Sequence, residues 1–314
     1  MKKKIAYSLI GGLGAVVGAL TVAGHYFYKT AVSNDDKDFL EVVNNEEITP
    51  DDPWAAEKRW YNQAEREMTE IISEDGLRIA GIYIPASTPS KKIALIAHGY
   101  NGSSRDMAPF AELFNQLGYN ILVADARGHG TSDGNYIGFG WHERHDYLKW
   151  IDQMINRHGE DCEIVLFGIS MGGATVLNVS GEQLPAQVKA IVEDCGFSSV
   201  EAEITHQLKA MYKLPKFPLV QITSLITKLK AGYWFEEASP LEQVRKNQIP
   251  TLFIHGGADD FVPTSMVYDL YEAKASPKEL YVVPEAKHAY AYVMDKETYR
   301  HKVSTFLNQY ISSE

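Results

Sequence analysis

The sequence predicts an α/β protein: a mostly parallel central sheet with helices on both faces, a small helical cap, and a transmembrane helix ahead of the domain. Three observations predict it. From residue 71 onward, short continuous apolar runs alternate with helical patterns, and strands that are apolar along their whole length belong to parallel sheets covered on both faces. Over about residues 197–238 a helical, proline-spaced stretch containing Pro215 and Pro218 interrupts that alternation. It follows the C-terminal end of a strand, the edge at which open α/β sheets bind ligands. Finally, the run from Ile5 to Tyr28 holds no Asp, Glu, Lys or Arg.

The N-terminal run, residues 1–30 with its flanks, comes first in the chain. The 24 residues from Ile5 to Tyr28 would extend about 36 Å as a helix, against a hydrocarbon core of about 30 Å. Lys2, Lys3 and Lys4 precede them and favour the cytoplasmic side. The chain then crosses the cell membrane once and the domain lies outside. Tyr26, Phe27 and Tyr28 would form an aromatic belt at the outer interface. The alternative is a secreted protein, cleaved near the small residues Thr21-Val22-Ala23, although the apolar core of a signal peptide usually runs only about 7–15 residues. Gly14 and Gly18 make a G-x-x-x-G that is incidental in so glycine-rich a segment.

Residues 31–70 read as linker and helix. Ser33 to Pro53 is polar, and Trp54 to Glu70 is built of helix formers after Asp51-Asp52-Pro53. Residues 71–314 form the domain. Leu77–Ile84 alternates as a strand, and Ile93–Ala97, Ile121–Ala124, Ile164–Phe167, Val188–Val192, Thr251–Ile254 and Glu279–Val283 are short apolar strands. Helical spacing covers Asp106–Leu117 and Trp141–His158, stopped by Gly118 and Gly159. It returns in Met171–Val179, Thr264–Ala275 and Lys296–Tyr310.

Composition narrows the function classes. The net charge is −11 over 314 residues, and the body of the chain has no basic cluster, which argues against nucleic acid as a partner. Two cysteines, Cys162 and Cys195, are too few for a disulfide framework or a four-ligand zinc site. Each flanks an apolar run, as buried thiols do; a single bridge between them is the other arrangement open to the sequence.

The chemistry starts at "GISMGG", residues 168–173. Ser170 follows an apolar strand and precedes a helix, between Gly168 and Gly172. This strand–G-x-S-x-G–helix context is that of a nucleophile elbow, where the flanking residues must be small and the serine is pushed out above the sheet. A serine is a poor nucleophile without a base. His288, in "VPEAKHAY" after the strand Glu279–Val283, reaches the same sheet edge. An acid must orient it. "FIHGGADDFVP" offers Asp259 just beyond a strand, with Asp260 solvent-facing or capping the next turn and Asp194, at the preceding strand end, the runner-up. Two N–H donors must stabilise the oxyanion: Met171, next to the nucleophile, and Tyr100 in the early loop "HGYNGSS".

These segments resemble an α/β-hydrolase fold serine hydrolase, in the bacterial esterase-like and serine-aminopeptidase-like branch with a small cap. "IAHGYNGSS", "ILVADARGHGTSDG", "VLFGISMGGAT", "VEDCGFSS", "FIHGGADDFVP" and "EAKHAY" carry the resemblance over about residues 70–311. The order Ser170, Asp259, His288 is that of the family. The resemblance also implies that Asp125, Arg127, Gly128, His129, Gly130 and Ser132 brace the turn near the site, so His129 is not catalytic.

The expected function is cleavage of carboxylic esters through an acyl-enzyme, on a small-molecule ester or acyl substrate, with no metal or organic cofactor. A peptidase or an acyltransferase would use the same triad, and a peptidase gripping a free N-terminus would want carboxylates such as Glu201, Glu203, Glu236 or Glu237. From a different class, a surface-tethered binding protein could keep the fold without catalysis. In the cap, Phe197, Leu208, Met211, Leu214, Phe217, Leu219 and Ile222 either line an acyl pocket or pack the cap on the domain.

Overall fold

The computed structural model describes residues 18–34, 48–49 and 51–312. Its spine is one sheet of eight strands. In chain order these are β1 (Glu67–Ile72), β2 (Arg78–Ile84), β3 (Lys92–Ala97), β4 (Asn120–Ala124), β5 (Glu163–Ile169), β6 (Val188–Asp194), β7 (Thr251–Gly256) and β8 (Lys278–Val283). Side by side they run β1-β2-β4-β3-β5-β6-β7-β8. The pairs β1–β2 and β2–β4 are antiparallel, and the other five are parallel.

Strand periodicity explains the two-sided core. Ala94, Ile96, Val165 and Phe167 face one way, onto α3 (Ala108–Gln116) and the C-terminal helix (Lys296–Leu307) through Phe110, Phe114 and Phe306. Ile93, Leu95, Ile164 and Leu166 face the other way, onto α4 (Glu143–His158) and α5 (Met171–Val179) through Trp150, Met154 and Val176. Each of the larger of these side chains removed from water contributes about 1.5–3 kcal/mol. With both faces covered, the strands need apolar residues at every position, which is why they read as continuous runs. The shared direction of β3 and β5–β8 brings their C-terminal ends to one edge, and the loops leaving that edge carry the site.

Between β6 and β7 the cap contributes α6 (Val200–Tyr212) and α7 (Leu219–Ala231). Both cysteines are free and buried.

Two expectations are corrected. The helix expected over Trp54–Glu70 stops early, as α2 (Ala55–Gln63), and β1 takes the remaining residues. Ala64 turns extended at ψ 144°, and Glu67–Ile72 pairs with Tyr83–Arg78 of β2. The backbone groups left open along β2 outweigh a helix propensity that no packing face supports. As an edge strand, β1 leaves Met68 and Ile72 exposed.

The transmembrane anchor is the second correction. Among the described residues, no helix is long and apolar enough to cross a membrane. Residues 1–17, with the three lysines and Gly14, lie outside the described residues, as do 35–47 of the expected linker. Residues 18–31 form helix α1, which lies on the cap. Gly24 and Tyr28 are buried, and Ala23, Phe27 and Ala31 are half-buried, at the three- and four-residue spacing of one helix face. A Cβ on Gly24 would come within 2.5 Å of Ile222 and 2.8 Å of Ile226, so α1 meets α7 at close range there. Two rings of the expected aromatic belt are also turned inward while Tyr26 stays exposed: the Phe27 ring lies 5.2 Å from that of Tyr212, and Lys230 Nζ sits 5.0 Å from the Tyr28 ring. An uncharged run reads alike in hydropathy whether lipid or protein covers it. Here the apolar cap covers one stripe of it.

Candidate active site

Ser170 stands between β5 and α5 with φ 57° and ψ −118°, a conformation side-chain-bearing residues rarely adopt. The flanking glycines make this turn possible. A Cβ on Gly168 would lie 2.0 Å from the Gly172 carbonyl oxygen, and one on Gly172 would lie 2.0 Å from that of Ala97. The Ser170 N–H donates to the Asp194 carbonyl at 2.7 Å, and the Ser170 carbonyl accepts from Ala174 N–H at 3.0 Å. The strand-to-helix junction thus has its backbone satisfied while the hydroxyl projects from it.

That hydroxyl meets the base expected from the sequence. Ser170 Oγ lies 2.8 Å from His288 Nε2, and His288 Nδ1 donates to Asp259 Oδ2 at 2.8 Å. The loops after β7 and β8 are sewn together, since Ala258 N–H donates to the Ala286 carbonyl at 2.9 Å. Asp259 Oδ1 accepts from the N–H groups of Phe261 and Val262 at 3.0 and 2.9 Å. Burial alone would raise the Asp259 pKa. The hydrogen bonds from His255 and His288 overcome that and lower it to about 2, so the carboxylate is ionised. Asp194 is elsewhere engaged: Tyr299 Oη donates to its Oδ2 at 2.9 Å, and burial raises its pKa to about 6. Asp260 offers its carbonyl to His206 Nε2 at 2.8 Å.

His255 is the contributor that sequence reasoning missed. Its Nε2 lies 2.9 Å from the Val262 carbonyl and 3.3 Å from Asp259 Oδ2. Burial opposes a charge on this ring, but the bonds to Asp259 and Val262, with the field of Glu193, raise its pKa overall. The signal was a histidine at a strand end, four residues before the acid.

Tyr100 and Met171 line the same cavity as Ser170. Met171 opens α5, whose first N–H groups have no acceptor within the helix. The Tyr100 loop is held close, with a Cβ on Gly99 falling 3.6 Å from Ser170 Cβ. His129 braces it: its Nε2 lies 3.0 Å from the Tyr100 carbonyl, and burial beside His98 lowers its pKa to about 3. Asp125 Oδ1 accepts from Ser104 N–H at 2.7 Å and its Oδ2 from Thr131 N–H at 3.0 Å. Arg127 is locked on buried Asp146 through two bonds, of 3.0 and 2.8 Å.

Residues 88–237 match the family model of the serine aminopeptidases, S33. The uncharacterized protein YqkD of Bacillus subtilis is 32% identical over 297 residues, 94% of this chain and 95% of that one. The chain belongs to the α/β-hydrolase family of serine hydrolases. Among solved structures it is similar to the Pyrococcus furiosus esterase Pf2001, at a TM-score of 0.66 and 24% identity, covering 87% of this chain and 96% of that one. It is also similar in fold to a puromycin-hydrolyzing peptidase of Mycobacterium tuberculosis, at a TM-score of 0.61 and 18% identity, covering 80% of this chain and 40% of that one.

In this hydrolase Ser170 opens into a cavity of about 280 Å³. Phe139, Phe197, Leu208, Leu219 and Val220 line it, and Met211 sits at its rim. Of the other apolar cap residues, Ile222 packs against Gly24, and Leu214 and Phe217 are exposed. The four cap carboxylates divide. Glu201 pairs with Lys216 at 2.9 Å and Glu237 with Lys228 at 3.2 Å, and Glu236 accepts from Ser224 Oγ at 2.8 Å. Glu203 alone of these faces the cavity. Its Oε1 accepts from Gln207 at 2.7 Å, its Oε2 has no hydrogen-bond partner, and burial raises its pKa to about 7. Cys195, Asp259 and His288 bring three possible metal-ligand atoms within 4.8 Å of one another. His288 Nδ1 already serves Asp259 there, and burial pushes the Cys195 thiol pKa well up.

Proposed function

We propose that this hydrolase cleaves carboxylic esters with an apolar acyl group, through an acyl-enzyme on Ser170. One observation carries the reading: the hydrogen-bonded chain from Asp259 through His288 to Ser170 ends at the floor of an apolar cavity. Ser170 Oγ attacks the acyl carbon as its proton passes to His288 Nε2. The oxyanion lies between the Met171 and Tyr100 N–H groups, each such donor being worth about 3 kcal/mol of barrier. The bond to the alcohol oxygen then breaks, and Nε2 returns the proton to that oxygen. A water repeats the sequence in the second half: Nε2 takes its proton, its oxygen attacks the acyl carbon, and the acid leaves as Ser170 recovers its proton. Asp259 stays ionised and holds the imidazole in the tautomer that presents Nε2 to the serine. The esterase named among the similar structures supports this reading.

Glu203 favours a second reading, an aminopeptidase of the same triad. A buried carboxylate oxygen without a partner would suit a substrate's protonated amine. Turnover of p-nitrophenyl esters from acetyl to palmitoyl, beside an aminoacyl p-nitroanilide, separates the two. Ester turnover that outruns the anilide supports the esterase, and the reverse order supports the peptidase.

A further inference from the structure

We propose that α1 is a wall of the acyl cavity and that Phe27 limits the length of acyl chain this protein accepts. The proposal rests on the esterase reading and adds its substrate selection. The cavity is closed by α6 and α7 on two sides, and on a third by Phe27, Thr30 and Ala31 of α1. Phe27 is half-buried. Its ring meets that of Tyr212 edge to face, at 5.2 Å and 88°, so the two rings form a stop between α1 and the end of α6.

The wall is fixed relative to Ser170 rather than hung on the outside. Tyr100 Oη donates to the Ala31 carbonyl at 2.8 Å, tying α1 to the loop that supplies the second oxyanion donor. Ile137 N–H donates to the Val32 carbonyl at 2.7 Å. Asn34 Nδ2 donates to the Gly134 and Gly128 carbonyls at 3.0 and 3.3 Å. Tyr28 and Val32 are buried with the cap residues Val220 and Ile226. These contacts tie α1 to the loops beside the site and to the cap. A side chain so held acts on whatever fills the cavity, through its volume.

The test uses the full chain and two alkyl fluorophosphonates, one with an ethyl and one with an octyl chain. Each reagent labels the serine by losing fluoride from phosphorus as the Ser170 proton passes to His288. The readout is the octyl-to-ethyl ratio of Ser170 labelling rates. Phe27→Ala is expected to raise it about tenfold, the scale on which an apolar pocket senses added or missing methylenes, and Phe27→Trp to lower it. An unchanged ratio in both variants overturns the wall. If Phe27→Ala fails to fold, Phe27→Trp decides alone, since an unchanged ratio there also overturns it. Absence of any Ser170 labelling in the unmodified protein overturns the esterase reading and the wall with it, a result distinct from labelling with unaltered selectivity.

Discussion

His255 stands behind Asp259, its Nε2 3.3 Å from the same Oδ2 that accepts from His288. The carboxylate is thus held on one side by the proposed catalytic histidine and on the other by a fully buried one. His255→Leu is expected to lower kcat about tenfold, the worth of one hydrogen bond to a charged group, with KM unchanged. Steady-state kinetics on one ester checks this; an equal rise in KM would mean that the substitution disturbs the cavity instead.

The two buried acids at this edge should behave differently. Asp259→Asn should lower kcat about 10⁴-fold, because the histidine loses its tautomer. Asp194→Asn leaves His288 in place and should cost far less activity, its effect falling on stability through a weaker bond from Tyr299, to an amide oxygen in place of a carboxylate. The reverse ranking of kcat values would move the acid to the end of β6.

The Asp259 carboxylate also predicts an acid window. Its folded pKa of about 2 lies below the ordinary 3.8. A depressed acid contributes stability above its unfolded value and gives it up as pH falls through its folded value. The stability difference between the parent protein and Asp259→Asn should therefore be steady between about pH 6 and 4 and shrink between about pH 4 and 2; above about pH 6 it should also shrink as His255, whose pKa the bond to Asp259 helps raise, loses its proton. Urea unfolding across that range measures it, and a difference independent of pH would show Asp259 unperturbed.

Glu203 predicts a pH effect on substrate binding. With a pKa of about 7, its carboxyl is neutral below that pH and charged above it, and a charge in an apolar cavity opposes an acyl chain. KM for a butyryl ester should rise from pH 6 to 8, and Glu203→Gln should flatten the rise. A KM that instead falls for an aminoacyl substrate over that range favours the peptidase.

Two glycines near Ser170, one in the elbow and one in the loop after β3, predict a stability contrast. Gly172→Ala forces a Cβ to within 2.0 Å of the Ala97 carbonyl and should cost about 3 kcal/mol. Gly102→Ala meets nothing closer than 3.5 Å and should be tolerated. Thermal unfolding of both variants tests the pair.

Much of this was legible because it depends on local pattern. The alternation of short apolar runs with helices follows from a sheet buried on both faces, and Gly168-x-Ser170-x-Gly172 follows from backbone contacts too tight for a Cβ. Asp259 and His288 could be sought at strand ends because a parallel sheet delivers its loops to one edge. What stayed hidden depends on which way side chains turn and on what packs against them. His255 lies only four residues before Asp259, but it is the folded loop that turns its ring onto that carboxylate; Glu203 matters through a cavity built from several segments, and β1 is a strand only because β2 pairs with it. The fate of α1 was hidden for the same reason: the run ending at Tyr28 shows that something apolar must cover it, while α7 and Tyr212 decide what.

The most direct test of the central claim is p-nitrophenyl ester hydrolysis by the parent protein and Ser170→Ala, with unfolding curves beside the rates. Parent turnover is expected to fall by up to about 10⁶-fold in Ser170→Ala, toward the uncatalysed background, while the unfolding transition stays in place. A folded Ser170→Ala protein that hydrolyses the ester at the parent rate would contradict it.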